Sequence, residues 1–379
     1  METKLLNGNN KEAIAEASKI LQDGGLVAFP TETVYGLGAD ALNADAAAKI
    51  YAAKGRPSDN PLIVHIADTD AVEKLADLET MNRTHPDMVK KAHMLMEAFW
   101  PGPLTIIFPK LAIVPDGTTG GLPTVAIRMP SHPIAQALIR TSGVSIAAPS
   151  ANTSGRPSPT TAQHVWEDMD GRIEMILDGG AVGIGIESTI VDMTGTIPTI
   201  LRPGFITKTM LSEIVGDVTI DPAIIEPDPN LRPKAPGMKY THYAPHGTLS
   251  IVEAVADESA NRASLHSGVK VSYNATEAET LRVAEKIKAL VNEKEAQGYK
   301  VAILTTKEHA SLYKNYSHVL IVGEGSKGQT ISARLYAALR ECDSEQMEYM
   351  YSEAFDQNEL GGAIMNRLLK AAGHRVITV

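Results

Sequence analysis

The stretch AAKGRPSDNPLIVH, residues 52–65, leaves a helix and enters a strand, and its reading sets the class of fold. The run before it, Ala44 to Ala53, is rich in alanine, the strongest helix former. The run after it, Pro61 to Ile66, is short, apolar and β-branched, as a buried strand is. Between them lie Lys54, Arg56, Ser58, Asp59 and Asn60, with Gly55, Pro57 and Pro61 fixing the path. A helix end favours cations through its dipole, so a solvated Lys54/Arg56 pair explains part of the stretch. It leaves Asn60, and His65 at the end of an apolar strand, without a reason. A fork-shaped guanidinium and a point-charge ammonium on a stiffened loop suit a polyphosphate.

Outward from this stretch the helix and strand patterns alternate. Lys11 to Gln22 reads as a helix, and LVAFPT (26–31) as a strand. Asn43 is placed to cap the helix that follows it. Pro86 to Phe99 reads as a helix. LTIIF (104–108), TVAIR (124–128), VSIAA (144–148), EMIL (174–177) and STIVD (188–192) read as strands. Many strands with few helices between the later ones predict a mixed sheet. From Asp221 to Pro245 the chain carries six prolines in 25 residues, a stiffened linker. Beyond it, LSIVEA, KVAILTT, HVLIVG and MEYMYSE alternate with helical patterns near 276–297, 330–344 and 360–372, which predicts a small parallel three-layer sheet. The expected division is therefore 1–215, a linker at 216–247 and a Rossmann-like domain at 248–379. A length of 379 residues agrees with two domains.

Composition excludes several classes. Thirty-five Lys and Arg against 45 Asp and Glu give a net charge of -10, unlike a general nucleic-acid coat protein. The single cysteine, Cys342, sits in a helical pattern and reads as a packed thiol; no disulfide framework can form within the chain. No apolar signal core or membrane-length run is present, so a soluble, cytoplasmic protein with no membrane partner is expected.

Four loops carry polar residues beyond what a connection needs. FPTETVYGLGAD (29–40) follows a strand; Gly36 and Gly38 allow a tight path or close backbone approach to a ligand, and Thr31, Glu32, Thr33 and Tyr35 supply polar groups. A plain strand-to-helix turn explains it equally well. The stretch at 54–60 is the second. APSANTSGRPSPT (148–160) crowds hydroxyls and amides at a strand end, where α/β proteins bind ligands; local side-chain-to-backbone turns explain it equally well. In GGAVGIGIESTIVD (179–192) four glycines precede Glu187 and Ser188, and LRPG follows with Arg202. Arg128, Arg202, Lys54 and Arg56 thus put four cations at element ends, which points to anionic ligands. No Gly-x-Ser-x-Gly elbow and no His/Cys grouping with metal spacing occurs, so no protein metal site is expected. The expected chemistry is positioning and electrostatic stabilisation of phosphates, with Mg²⁺ carried on a nucleotide. GEGSKGQT (323–330) lies between a strand and a helix, where a loop can hold a phosphate; it lacks the dinucleotide pattern, so a plain loop is the favoured reading.

FPTETVYGLGADA, KGRPSDNPLIVHI, WPGPLTIIF, VAIRMPSHP, APSANTSGRPSPT and ESTIVD…LRPG together resemble the YrdC-like domain. Lys54-x-Arg56 with Ser150-x-Asn152 resembles its paired signature. PGMKYTHYAP (236–245) and the β/α tail resemble the longer members, the two-domain threonylcarbamoyl-adenylate synthases. The resemblance implies a twisted mixed sheet around a basic cavity. It implies a reaction of L-threonine, bicarbonate and ATP to threonylcarbamoyl-AMP and pyrophosphate. The product would pass to a transferase complex acting on the tRNA adenosine beside the anticodon, and weak RNA binding is a further capacity. By motif, Thr33, His65, Arg128, Ala148 and Ser188 match threonine positions, Ala148 through its backbone. Arg56, Asn60, Thr124, Ser150, Ser158 and Arg202 match the nucleotide side. Lys54, Arg56, Ser150 and Asn152 form the catalytic signature. Tyr243, with Tyr240 as the alternative, matches the linker tyrosine that enters the cavity. A binding-only module for ATP or double-stranded RNA is the rival reading, and the intact signature weighs against it. The hydrogenase-maturation carbamoyltransferases need cysteine motifs that one cysteine cannot supply.

Overall fold

The computed structural model describes residues 2–224, 235–236, 243–254, 276–355 and 360–379. Most of the Pro-rich linker, including Tyr240, lies outside the described residues. Two compact units emerge: Met1–Ser154 with Ser158–Lys239, and Gly155–Pro157 with Tyr240–Val379.

In the first unit the chain runs β1 (Lys4–Asn7), α1 (Lys11–Gln22), β2 (Val27–Phe29), β3 (Gly36–Asp40), α2 (Ala44–Lys54), β4 (Ile63–His65), α3 (Leu78–Thr84) and α4 (Pro86–Phe99). It continues through β5 (Leu104–Pro109), α5 (Asp116–Thr119), β6 (Thr124–Arg128), α6 (Pro133–Ser142), β7 (Ile146–Ala147), α7 (Ala162–Met169) and β8 (Met175–Asp178). It closes with β9 (Thr189–Asp192), β10 (Thr199–Arg202), α8 (Lys208–Val215) and β11 (Thr219–Ile220). These eleven strands form one mixed sheet in the order β1-β8-β2-β3-β7-β4-β6-β5-β9-β10-β11. The expected mixed sheet is present. The glycine-rich stretch after Tyr35 is a correction: it is strand β3, antiparallel to β2, and not a loop. A Cβ on Gly38 would stand 2.7 Å from Ile146 Cγ2 and 2.8 Å from Phe29 Cε1. That glycine therefore serves packing inside the sheet and not approach to a ligand.

The helix ends follow local chemistry. The Asn43 side chain accepts from the Asp45 and Ala46 amides, as expected of a cap. Gly55 closes α2 with φ of 62°, the left-handed geometry that glycine adopts at no steric cost. On one sheet face Val64, Ile106, Val125, Ile127, Val191 and Ile200 join the main core with residues of α2, α4, α7 and α8. On the opposite face α1 and α6 pack on the β1, β2, β7 and β8 side of the sheet, through Ile14, Leu21, Leu138, Leu6, Val27, Ile146 and Leu177. Beyond them that face carries a small cluster, Ile63, Ile107, Ala126, Ile190, Leu201 and Ala235, to which no helix among the described residues contributes. Period-two alternation then sends His65, Thr124, Arg128 and Thr105 to this same face. The polar site begins where helical cover stops.

The second unit runs β12 (Thr248–Glu253), α9 (Glu277–Ala296), β13 (Val301–Thr305), β14 (Val319–Ile321), α10 (Gly328–Ser344), β15 (Tyr349–Glu353), α11 (Leu360–Ala371) and β16 (Val376–Thr378). Its five strands are ordered β14-β13-β15-β12-β16, and the recorded pairings are parallel. A capping box on Thr276 and Glu279 starts α9. Cys342 is fully buried, and burial pushes its thiol up to about 12, which fits a packing role. Within this unit Arg340 donates to the Pro157 carbonyl at 2.7 Å, and Arg156 pairs with Asp343 at 3.3 Å. In the GEGSKGQT loop the Gly325 amide donates to Glu308 Oε2, and the Glu324 amide to Thr330 Oγ1, so both already have partners within the unit.

Candidate active site

Register on the sheet assembles the site. His65 on β4 lies opposite Arg128 on β6, and Arg128 opposite Thr105 on β5. Thr105 stands beside Ile190 on β9, and Ile190 opposite Arg202 on β10. Two arginines and a histidine expected from separate motifs therefore share one cross-strand row.

Arg128 is 4% exposed. Its Nη1 donates to Thr33 Oγ1 at 2.9 Å, its Nη2 pairs with Glu32 Oε1 at 2.6 Å, and its Nε donates to the Gly102 carbonyl at 3.3 Å. Thr33 is fully buried and shares a 2.8 Å hydrogen bond with Thr31 Oγ1. Ser188 Oγ lies 2.8 Å from Thr105 Oγ1 and accepts from Arg202 Nη2 at 3.1 Å. Arg202 Nε donates to the Ser188 carbonyl. The Ala148 amide donates to the Ile63 carbonyl, so a backbone role for Ala148 falls to its carbonyl.

His65 is buried, with Nδ1 3.1 Å from the Ile63 carbonyl and Phe29 packed edge-on. The backbone at Ile63 and at Ile146 both hydrogen-bond the ring, and each favours its protonated form. Burial, and then the Arg128 charge, lower its pKa to about 3. The ring is neutral at physiological pH and a weak base. The unfolded chain takes up this proton near the ordinary histidine value. The folded chain resists it down to about 3, so His65 costs stability as pH falls below about 6.5. An NMR titration of the folded protein is expected to show a neutral His65 ring from pH 8 to pH 5, with no inflection between.

The opening stretch divides its work. Lys54 is 3% exposed, and its Nζ donates to the carbonyls of Ser150 and Asn152. It is a buried tie between the end of α2 and the Ser-Ala-Asn loop, not a solvated helix-end cation. Ser150 Oγ donates to Asn152 Oδ1 at 2.5 Å, and Asn152 Nδ2 to the Thr153 carbonyl. Arg56 is half-buried, with Nε 3.4 Å from the Asn60 carbonyl and Nη2 3.2 Å from the Pro61 carbonyl. Asn60 is 1% exposed, and its Oδ1 is a buried acceptor without a protein donor. Such an orphan fits a group that meets a ligand. Thr124 opens β6 on the face of Ala126 and Arg128 and is half-buried. Tyr243 belongs to the second unit, where it is buried at φ of 68° and stacks on Tyr336 with centroids 5.1 Å apart.

Three polar residues in this neighbourhood had no role assigned from sequence. Glu32 holds Arg128, and its Oε2 accepts from the Ser131 amide at 3.1 Å. Glu187 accepts from Ser158 Oγ at 2.6 Å. Thr105 meets Ser188. The signal was available: each acid sits inside a motif rich in candidate anion ligands, where a carboxylate needs a partner of its own.

Two family models match the chain. One, for the Sua5, YciO and YrdC group and described as telomere recombination, matches residues 19–204. The other, described as the C-terminal domain of threonylcarbamoyl-AMP synthase, matches residues 206–373. A threonylcarbamoyl-AMP synthase of Bacillus subtilis (strain 168) is 47% identical over 369 residues, covering 97% of this chain and 95% of that protein. The chain belongs to the threonylcarbamoyl-AMP synthase family. A member from Pyrococcus abyssi (strain GE5 / Orsay) is 41% identical over 98% of both chains. The solved structure of P. abyssi Sua5 complexed with L-threonine superposes with a TM-score of 0.85 at 40% identity, covering all of both chains. The two-domain architecture is thus that of the threonylcarbamoyl-AMP synthases from end to end. No helix among the described residues is long and apolar enough to cross a membrane.

Proposed function

We infer that this chain is an enzyme that makes threonylcarbamoyl-AMP. The observation that carries the reading is 47% identity to a threonylcarbamoyl-AMP synthase across 97% of the chain. L-Threonine, bicarbonate and ATP are the substrates in this reading, and pyrophosphate leaves, which makes the enzyme a nucleotidyltransferase of the cytoplasm.

Thr33, His65, Arg128, Ala148 and Ser188 take the amino acid. Arg128 has Nη hydrogens beyond those it already donates, and these face the substrate carboxylate. His65, neutral through burial, lines the amino-acid side as a weak base. Threonine's ammonium gives up a proton to solvent, the amine adds to bicarbonate and water leaves, which gives the carbamate; the carbamate oxygen then attacks the α-phosphorus, the bond to the α,β-bridging oxygen breaks, and pyrophosphate carries that oxygen away. Arg56 and Arg202 stabilise the charge that develops on the phosphates. Asn60 Oδ1, Thr124, Ser150 and Ser158 orient the nucleotide. Lys54 fixes the Ser150–Asn152 loop through its carbonyls and thereby sets where those side chains stand. Holding three reactants in one geometry supplies most of the rate gain.

Mg²⁺ enters with the nucleotide, bound to phosphate oxygens and water. Among the described residues no group of three or more His, Cys, Asp or Glu gathers as a metal site. The product then passes to the complex that transfers threonylcarbamoyl to tRNA. Mass spectrometry tests the reading: full-length protein with ATP, Mg²⁺, threonine and bicarbonate is expected to accumulate threonylcarbamoyl-AMP. AMP formed without the threonylcarbamoyl adduct would contradict it.

A further inference from the structure

The amino-acid side of the site contains a cation, Arg128, among the residues matched by motif, but no anion. An α-amino acid at neutral pH carries both charges, and an ammonium taken from water needs a compensating partner. His65 is neutral there, and the Ala148 amide is already bonded to the Ile63 carbonyl. The carboxylate that completes the set is Glu32, adjacent in sequence to Thr33 and 2.6 Å from Arg128 Nη2.

A purely structural role would have Glu32 neutralise Arg128 and do no more. The geometry offers further capacity on both partners. Each Nη of Arg128 has one recorded bond, so each has a second N–H. Each Glu32 oxygen also has one recorded bond, from Arg128 and from the Ser131 amide, so each has acceptor capacity left. The Glu32 side chain is 14% exposed, against 4% for Arg128, so the carboxylate is the more accessible member of the pair. A guanidinium and a carboxylate set side by side, both partly available, complement a carboxylate and an ammonium set side by side.

We propose that Glu32 is the counter-ion of the substrate's α-ammonium, so that Arg128 and Glu32 together recognise the amino acid as a zwitterion. This rests on the threonine-dependent reading above and adds a specificity-determining residue to it. The pair selects α-amino acids over their hydroxy or des-amino counterparts, while the hydroxyls of Thr33 and Ser188 face the rest of the substrate.

Three probes separate this role from a structural one. L-Threonine carries both charges, 3-hydroxybutyrate lacks the amine, and threoninol lacks the carboxylate. Binding of each to full-length wild type, Glu32→Gln and Glu32→Asp is measured by calorimetry, with circular dichroism to confirm folding. Glu32→Gln is expected to weaken threonine and threoninol by about 10- to 100-fold, as loss of a charge-assisted contact does. It is expected to leave 3-hydroxybutyrate and KM for ATP unchanged, and Glu32→Asp restores part of the loss. If 3-hydroxybutyrate weakens while threoninol does not, Glu32 acts only by holding Arg128 and the proposal is overturned. Equal binding by wild type and Glu32→Gln overturns it as well. A wild type that binds no threonine overturns the functional reading, and the Glu32 assignment with it. Should Glu32→Gln fail to fold, Glu32→Asp decides: affinity for threoninol unchanged from wild type with 3-hydroxybutyrate weakened contradicts the proposal, and the reverse supports it.

Discussion

Replacing Arg56 with alanine is expected to lower pyrophosphate release about 1,000-fold while the protein stays folded. Arg56 is half-buried and donates to two carbonyls of its own loop, at 3.4 and 3.2 Å. Neither distance marks a strong bond, and Gly55 and Pro57 beside it set the loop's path without the guanidinium. Loss of this half-buried side chain is expected to cost about 1 kcal/mol, the typical effect of a single substitution. Charge on a transferring phosphoryl group is another matter, since one positioned cation or donor there is worth roughly 100- to 1,000-fold or more in rate. Arg56→Lys is expected to recover little, because an ammonium cannot reproduce a planar fork. Steady-state kinetics beside a thermal melt checks both halves. Normal turnover in Arg56→Ala would place Arg56 outside the site.

Lys54→Met is expected to act in the opposite proportion, with a large loss of stability and a loss of turnover that follows from it. The ammonium is 3% exposed and bridges the Ser150 and Asn152 carbonyls. Methionine keeps most of the aliphatic stem but leaves both carbonyls without this donor. Each buried acceptor so stripped costs about 1–3 kcal/mol, part of it offset because a buried charge disappears too. A net loss of about 2–4 kcal/mol lowers the melting temperature of a unit this size by roughly 5–15 °C. Turnover is expected to fall by about 100-fold as Ser150 and Asn152 lose their fixed positions. A variant that melts like wild type would show that the tie contributes nothing to the loop.

The contrast between these neighbours explains how far the sequence could be read. Lys54 and Arg56 look alike in the chain, two cations at a helix end. Only the folded structure turns one into a sheltered tie and leaves the other partly exposed, because burial depends on the loop at 148–154, far away in sequence. The strands were legible from β-branched runs: TVAIR is strand β6 as read, and KVAILTT contains β13. Gly36–Asp40 was not, because glycine is depleted in strands, and tight packing of Gly38 against Phe29 and Ile146 overrode that propensity. Helix α6 was absent from the expected elements although its ends are marked. The His132 side chain caps it, Pro133 opens it, and Gly143 closes it at φ of 68°. Motif residues were legible as a set, and the sheet register brings His65, Arg128 and Arg202 into one row. Glu32 and Glu187 sit inside the same motifs, and the fold adds which side chains they face.

The central claim is that one site joins threonine, bicarbonate and ATP. Pyrophosphate release by the full-length protein, with all three supplied and then with each omitted in turn, tests it most directly. The account predicts release that needs all three, and that falls to background when threonine or bicarbonate is withheld. Release that continues undiminished without threonine would contradict it.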